Sequence, residues 1–585
     1  MAHPLAIAVR LALHRRRFDR RLIALFSPLA FALGGVPAAA ERFDVGPAEP
    51  YSAIGEVPWE ELTPGDSVCI HWRPVSYHEK WVICRVGTIT APIVVQGIPG
   101  PEGALPVIDG RDATTRSQLN FWGEARGVIK IGGANVPPDA MPAHILLENL
   151  EVRSGRPPYS FTGRDGLTAY AQNCAAVYVE KGLDVTIRNC TLADCANGLF
   201  AAWDTSDLVI EYSRIHDNGM EGSIYEHNTY TEALGILYQF NHLGRERSGC
   251  LGNNLKDRSA GTVVRYNWIS GGNRQLDLVD TGSPILRDDP RYRRTFVYGN
   301  ILLEPGDQGN RQIVHYGGDS GDPTFYRHGT LYFHHNTVYS MRTGRTTLLR
   351  LSTNDETLVC RNSIVHTTRP GSDLSILDQD GIAYLRGNWL QGGWVPAFVP
   401  LGGALYDEGN LEGMDPGFAN PGNEDFTLLE GSPCIDAAVA LPPEALPDHA
   451  LVSEYVRHAS GRARPIAGPL DLGAFEHFSG TGVGNTWVAV TQSARSSPLR
   501  VDPNPCRARC VIGLEPGGGT PSGGTDALGA VEVVDAAGRI VARISPLAAA
   551  RTVEWWPPSG LAAGLYVLRA RSGSQAIIGR VLVLR

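Results

Sequence analysis

A six-residue frame recurs along the middle of the chain: apolar, any, any, Asn, any, apolar. It reads Tyr238…Asn241…Leu243, Val264…Asn267…Ile269, Val297…Asn300…Leu302, Phe333…Asn336…Val338, Val359…Asn362…Ile364 and Leu385…Asn388…Leu390. Upstream another residue fills the Asn slot, at Leu147…Leu150…Val152, Ile187…Cys190…Leu192 and Ile210…Ser213…Ile215. From Cys190 the slots advance by 23, 28, 26, 33, 36, 26 and 26 residues, after a first step of 40 that must contain an insertion. Short β-branched strands on a period in the mid-twenties, with no amphipathic helix between them, predict a solenoid whose coils bury their faces on one another. The expected fold is therefore all-β, a right-handed parallel β-helix. Asn suits a fixed corner because it tolerates left-handed backbone and its amide can bond the amide one coil away.

The rest of the chain divides around this body. Residues 1–40 read as a signal peptide: Arg10 and Arg15 to Arg21 are basic, Leu22 to Val36 is apolar, and Ala38-Ala39-Ala40 offers a cleavage site. The run Arg15-Arg16-Arg17-Phe18 resembles a twin-arginine export signal, with Asp19 where an apolar residue is usual. The β-helix is expected over 41–425, a closing module that caps the open sheet over 426–478, a Gly/Ser/Thr-rich linker over 479–497, and a small β-sandwich over 498–585. Leu62-Thr-Pro-Gly-Asp66 to Gly110 is similar to the opening coils of bacterial β-helix proteins. The stretches Asp415-Pro-Gly-Phe418, Gly431-Ser-Pro-Cys-Ile-Asp436 and Leu470-Asp-Leu-Gly-Ala-Phe-Glu476 resemble the closing module of such proteins. The segments Asp502-Pro-Asn-Pro-Cys506, Val531 to Arg539 and Gly564-Leu-Tyr-Val-Leu568 resemble FlgD-like immunoglobulin and C-terminal sorting domains, which implies secretion machinery or surface attachment.

Charge narrows the partners. Removal of residues 1–40 takes away six arginines and one aspartate, moving the formal charge from -9 to about -14. That excludes nonspecific nucleic-acid binding, which needs a basic face, but not an acidic glycan bound by local Arg and Lys. No later run of apolar residues is long enough to span a membrane. Ten cysteines permit bridges in an exported chain, with Cys69/Cys84, Cys190/Cys195 and Cys506/Cys510 close enough in sequence to pair.

The densest polar constellation lies between His227 and Tyr316. Asn228, Lys256 and His315 each fall 15 residues past a slot, which puts them on one strand of successive coils, with Asp277 and Asp280 near that level on the coil between. The run His227-Asn-Thr-Tyr230, Gly252-Asn-Asn-Leu-Lys256-Asp-Arg258-Ser and Val264-Arg265-Tyr-Asn267 resembles the β-helix polysaccharide lyases of the alginate and chondroitin class, a pectate-lyase-like architecture. The resemblance implies an acidic polysaccharide substrate cleaved by β-elimination, with Lys256 taking the proton alpha to a uronate carboxylate. The family's Arg one coil later is replaced here by Leu276-Asp277-Leu278-Val279-Asp280, where an Asp neutralises a uronate only through a bridging Ca²⁺. On chemistry alone, Lys256, desolvated beside Arg258 or Arg265, is a candidate base, with His227 or Tyr230 as substitutes. Arg311, His315 and Tyr316, with Tyr230, Asp277 and Asp280, complete the candidate substrate contacts. The bland alternative for Lys256 is a surface lysine paired with Asp257 or Asp277. Two other readings stay open: a glycoside hydrolase using Asp277 and Asp280 with Asp257 near them, and a non-enzymatic glycan-binding solenoid with Tyr230, Trp268, Tyr316 and Trp389 as sugar platforms.

Overall fold

The computed structural model describes residues 40–116, 122–306, 309–465 and 468–477, together with seven strands between 499 and 583. The signal-peptide and linker readings thus lie outside the described residues, except Ala40. The body is a right-handed parallel β-helix whose stacked strands pair in parallel from coil to coil. One coil runs Thr229–Thr231, Leu234–Gln239 and His242–Leu243; the next runs Leu255–Asp257, Ala260–Arg265 and Trp268–Ser270. These three strands per coil stack into a first, a second and a third sheet. Side chains alternate, so Leu255 and Asp257 point inward and Lys256 outward. The interior is a continuous apolar column from Val45 to Leu390. Among the described residues the one α-helix is Pro284–Asp288, and no helix is long and apolar enough to cross a membrane.

The Asn slot forms a ladder of fixed polarity. The backbone N–H of Ser213, Asn241, Asn267 and Asn300 donates to the side-chain oxygen of Asn241, Asn267, Asn300 and Asn336, respectively, at 2.9–3.1 Å. The next rung departs from the sequence frame. Asn336 N–H donates to Ser363 Oγ at 3.2 Å, and Ser363 N–H to Asn388 Oδ1 at 2.9 Å, so Ser363 and not Asn362 holds the slot. The left-handed residue is also not the slot Asn but the one before it. Tyr212, Phe240, Tyr266, Gly299, His335 and Asn362 all have φ between 50° and 65°. The Asn is selected instead by its carbonyl, which satisfies an N–H of the preceding coil that no strand partner reaches.

The ends differ from expectation. At the N-terminal end, Ile54, Val57 and Trp59 plug the column, with Trp59 stacked on Trp81 at 5.4 Å. The segment after 415 is not an end cap. It runs back along the corner between second and third sheets, as the hairpins Phe418–Asn420 with Asp425–Leu428 and Ser453–Val456 with Ser460–Ala463. Phe426, Leu428 and Tyr455 bury Trp268, Tyr339 and Trp389, while Ala445 and Leu451 pack on Phe240, Tyr266 and Tyr298. The physical reason is the aromatic strip: bulky side chains at left-handed corners point outward and need a cover more than the last sheet edge does. Beyond it, the seven C-terminal strands form two antiparallel sheets, of three and four strands. Cys69, Cys84, Cys190 and Cys195 are free thiols, so neither of those two bridges forms; Cys506 lies outside the described residues.

Candidate functional site

The outward positions of the first sheet make one straight column. In register order it runs Lys130, Tyr178, Phe200, Tyr230, Lys256, Asp277, His315 and Arg350, which at ~4.8 Å per rung spans ~34 Å. Lys256, Asp277 and His315 therefore do share a face, as expected. The residue level with them on the coil before is Tyr230; Asn228 lies two positions back, where its amide bonds Asn254 beneath the sheet.

The column changes character midway. On one side Phe200 stacks on Tyr230 at 4.9 Å and 5°, Tyr178 meets Phe200 edge-on at 5.4 Å, and the Arg126 guanidinium lies over both Phe200 and Tyr178. Trp203 stands beside them, 49% exposed. Two adjoining cavities of about 460 and 600 Å³ share Trp203, Tyr230 and Glu232. The far wall of the smaller one is Gly282 to Ile285, from the long insertion after Leu276–Leu278.

On the other side the column is ionic. Lys256 Nζ donates to Asp277 Oδ2 and to Asp319 Oδ2, each at 2.5 Å. Arg258 donates through Nε to the Tyr230 hydroxyl at 2.8 Å, through one terminal nitrogen to Asp319 Oδ1 at 2.8 Å, and through the other to the Asp280 carbonyl. Asp280 Oδ1 in turn accepts the backbone N–H of Asp319 at 2.7 Å and so pins that loop. Asp277 accepts from Asn253 Nδ2 at 2.8 Å, and its Oδ1 lies 2.8 Å from His315 Nδ1. His315 Nε2 lies 2.9 Å from Ser352 Oγ.

Burial and charge set the protonation states. Burial pushes the Asp277 carboxyl up, but Lys256 and His315 together outweigh it and hold the group well below the usual carboxylate range. Asp319 follows the same pattern, with burial opposed by Lys256 and Arg258 and a net downward shift. Burial drives His227 down to about 3, helped by the Lys256 charge, and lowers His315 against the pull of Asp277. Burial moves Glu232 the other way, upward, against the hydrogen bond its carboxylate accepts from Thr281 Oγ1.

Several expectations need correction. Lys256 is desolvated, at 6% exposed, and of the alternative only the pairing with Asp277 holds: it is not a surface lysine, and Asp319 rather than Asp257 is its second partner. Tyr316 points inward between Leu278 and Leu351 and is fully buried, because it sits one residue out of phase with His315. Arg265 lies on the second sheet, bonded to Gln239 and the Tyr298 hydroxyl, away from the column. Arg311 pairs with Asp378 at the far end. His227 stacks on Tyr230 but is buried, its Nδ1 accepting the Asn253 N–H. Asp257 is interior, bonded to Thr231, Ser259 and Thr262. Trp268 and Trp389 lie under the segment after 415, so Tyr230 alone of the proposed platforms faces the groove. Calcium wants six to eight oxygen ligands. Asp277 is surrounded by nitrogen donors, and Asp280 offers one unpartnered oxygen beside Arg258, so this pair does not fit the ion.

Sequence reasoning missed Glu232, Asp319, Ser352, Phe200, Tyr178 and Trp203. Phe200 and Tyr178 could have been found by continuing the register upstream through the non-Asn slots. Asp319 carries no periodic signal, because it sits in a loop.

No protein-family model matches the chain, and no curated protein matches it. Among solved structures it is similar to an alginate lyase from Paenibacillus sp. str. FPU-7, at 12% identity over 64% of this chain and 97% of that one, with a TM-score of 0.38. A mannuronic acid specific polysaccharide family 6 lyase from human gut microbiota gives 12%, 64%, 83% and 0.34 in the same order. A GH136 lacto-N-biosidase from Eubacterium ramulus gives 12%, 64%, 68% and 0.29. TM-scores this low carry no argument about the chemistry of the groove.

Proposed function

We propose that the protein is a carbohydrate-active enzyme that cleaves a polysaccharide lying along the first-sheet column, by hydrolysis of the glycosidic bond. The observation that carries this reading is a pair of carboxyl groups with opposed environments, both interacting with Arg258 beside the aromatic wall: Glu232, shifted up by burial, and Asp319, shifted down by Lys256 and Arg258. Environments that push two carboxyl groups apart mark an acid and a base. Glu232 is suited to protonate the leaving oxygen; Asp319, ionised and partly exposed, is suited to act as base or nucleophile on the sugar. Stacked rings and Trp203 supply the apolar faces that sugar rings pack on.

β-Elimination of an acidic glycan is the second reading, favoured by the Tyr230 hydroxyl, which accepts from Arg258 and faces the groove. It is weaker with Lys256 as base, since Nζ already donates to two carboxylates, and Arg258 has donors committed to Tyr230, Asp280 and Asp319. Export and attachment through the C-terminal domain complete the proposal and rest on the sequence alone.

The test incubates the purified full-length chain with alginate, pectate, glycosaminoglycans and neutral glycans. Hydrolysis gives new reducing ends without the ultraviolet absorbance of the conjugated double bond that a lyase leaves. Glu232→Gln and Asp319→Asn should each slow cleavage about 10²–10⁴-fold. Cleavage at the parent rate in both variants removes the assignment, and ultraviolet-absorbing product transfers it to elimination.

A further inference from the structure

Three successive rungs of the first sheet bring together side chains that glycosidic hydrolysis does not require. Asp277 Oδ1 lies 2.8 Å from His315 Nδ1, and His315 Nε2 lies 2.9 Å from Ser352 Oγ. Asp277 is ionised and fixed from behind by Asn253 and Lys256. An ionised carboxylate at Nδ1 sets the tautomer: Nδ1 carries the proton and donates it to Asp277, and Nε2 becomes an acceptor that shares the one Ser352 hydroxyl proton with the Gly318 carbonyl, 2.9 Å from Oγ. Ser352 follows the strand Thr346–Leu351 and is only partly buried, whereas Asp277 and His315 are almost fully buried. Along the column the order is acid, base, hydroxyl, and of the three only Ser352 is partly open to solvent. Two donors lie near it. The Gly318 N–H is 2.8 Å from Ser352 Oγ, and Arg350, level with His315 on the next rung, makes no hydrogen bond or ion pair among the described residues.

We propose that Asp277, His315 and Ser352 form an acyl-transfer centre that removes ester-linked acyl groups from hydroxyls of a polysaccharide. The substrate class follows from position, because the centre continues the column that begins with Tyr178, Phe200 and Tyr230. Ser352 Oγ bonds to the ester carbonyl carbon as its proton passes to His315 Nε2. The tetrahedral intermediate collapses by breaking the bond to the sugar oxygen, which leaves with the proton from His315. Water, deprotonated by His315, then attacks the Ser352 ester, and the carboxylic acid departs as Oγ regains its proton. No oxidant, metal or co-reactant other than water enters. Asp277 orients the imidazole and stays ionised throughout.

The experiment uses the full-length chain and three readouts. Labelling with a fluorophosphonate and peptide mass spectrometry should place one adduct on Ser352, absent after denaturation and in His315→Gln. Hydrolysis of p-nitrophenyl acetate, and acetate release from an O-acetylated polysaccharide, should fall about 10²–10⁴-fold in Ser352→Ala and His315→Gln. Glycosidic cleavage by Ser352→Ala should stay within twofold of the parent, which separates this centre from the Glu232–Asp319 pair. Ser352→Cys guards against misfolding, since it keeps the side chain's size and should be alkylated by iodoacetamide far faster than the buried thiols. An unlabelled Ser352 in a folded parent, or full ester hydrolysis in Ser352→Ala, would make Ser352 only a pin for the Gly318 loop and overturn the proposal.

Discussion

Replacing Lys256 with alanine should destabilise the solenoid before it says anything about catalysis. The ammonium lies between Asp277, 1% exposed, and the loop residue Asp319, and donates to both. Its removal leaves two carboxylates that share a partner facing each other across a poorly solvated space. Breaking a buried pair by deleting one member costs about 3–5 kcal/mol, against less than about 0.5 kcal/mol for an exposed lysine. Asp319 is partly open to solvent, which discounts its share, so a loss of about 3 kcal/mol is expected. The assay is urea unfolding of the full-length chain followed by tryptophan fluorescence, reading the solenoid transition. Asp319→Asn in the Lys256→Ala background should return about 1–2 kcal/mol, because it removes one of the two stranded charges. A Lys256→Ala protein that unfolds with the parent, or a double variant no better than the single, would refute the ion-pair argument and restore the surface-lysine picture.

Three further expectations follow from particular contacts. Asn300→Ala deprives the buried Asn267 N–H of its acceptor and should cost about 1–3 kcal/mol in the same unfolding assay; an unchanged midpoint would mean the ladder is ornamental. Trp203→Ala, at an exposed position in the groove wall, should weaken glycan binding at least tenfold by isothermal calorimetry while leaving unfolding within about 0.5 kcal/mol. Acid should unfold the protein early. Burial lowers His242 and His334 to about 3, His366, His449 and His458 to about 4, and His335 well below its usual value, all from 6.5. Groups with depressed folded values lose their contribution as pH falls below 6.5, at about 2 kcal/mol per fully buried histidine by pH 5. Burial also lowers His227 and His315. It raises Glu246 and Glu304 to about 8, and Glu148, Glu232 and Glu476 above their usual range; these carboxyls act in the opposite sense, but five carboxyls do not balance eight histidines. A midpoint that stays level or rises between pH 6.5 and 5 contradicts this.

The solenoid was legible because its signal repeats: Asn241, Asn267, Asn300 and Asn336 each meet the same need, an acceptor for the N–H one coil before. The slip to Asn362 shows the limit of pattern. A serine hydroxyl meets the need equally, and an adjacent Asn, left-handed and bonded to Val439, mimics the motif. Within the site, Lys256, Asp277 and His315 were found by counting along strands, where spacing equals geometry. Asp319 and Ser352 escaped because a loop and a strand end follow no period. For Lys256 the face, the desolvation and the candidate partner Asp277 are legible, whereas the second partner, Asp319, is not, since it is contributed by a loop 63 residues later.

The returning segment decides where the chain can be cut. A fragment ended at 425, where the resemblance to a closing module sets the boundary, would strip the cover from Phe240, Tyr266, Tyr298 and Trp389 and leave an aromatic ridge in water. Such a truncation should be recovered as aggregate, whereas one ended at 477 carries its own lining. The smallest autonomous piece of this protein is therefore set by the outside of its coils and not by the number of coils.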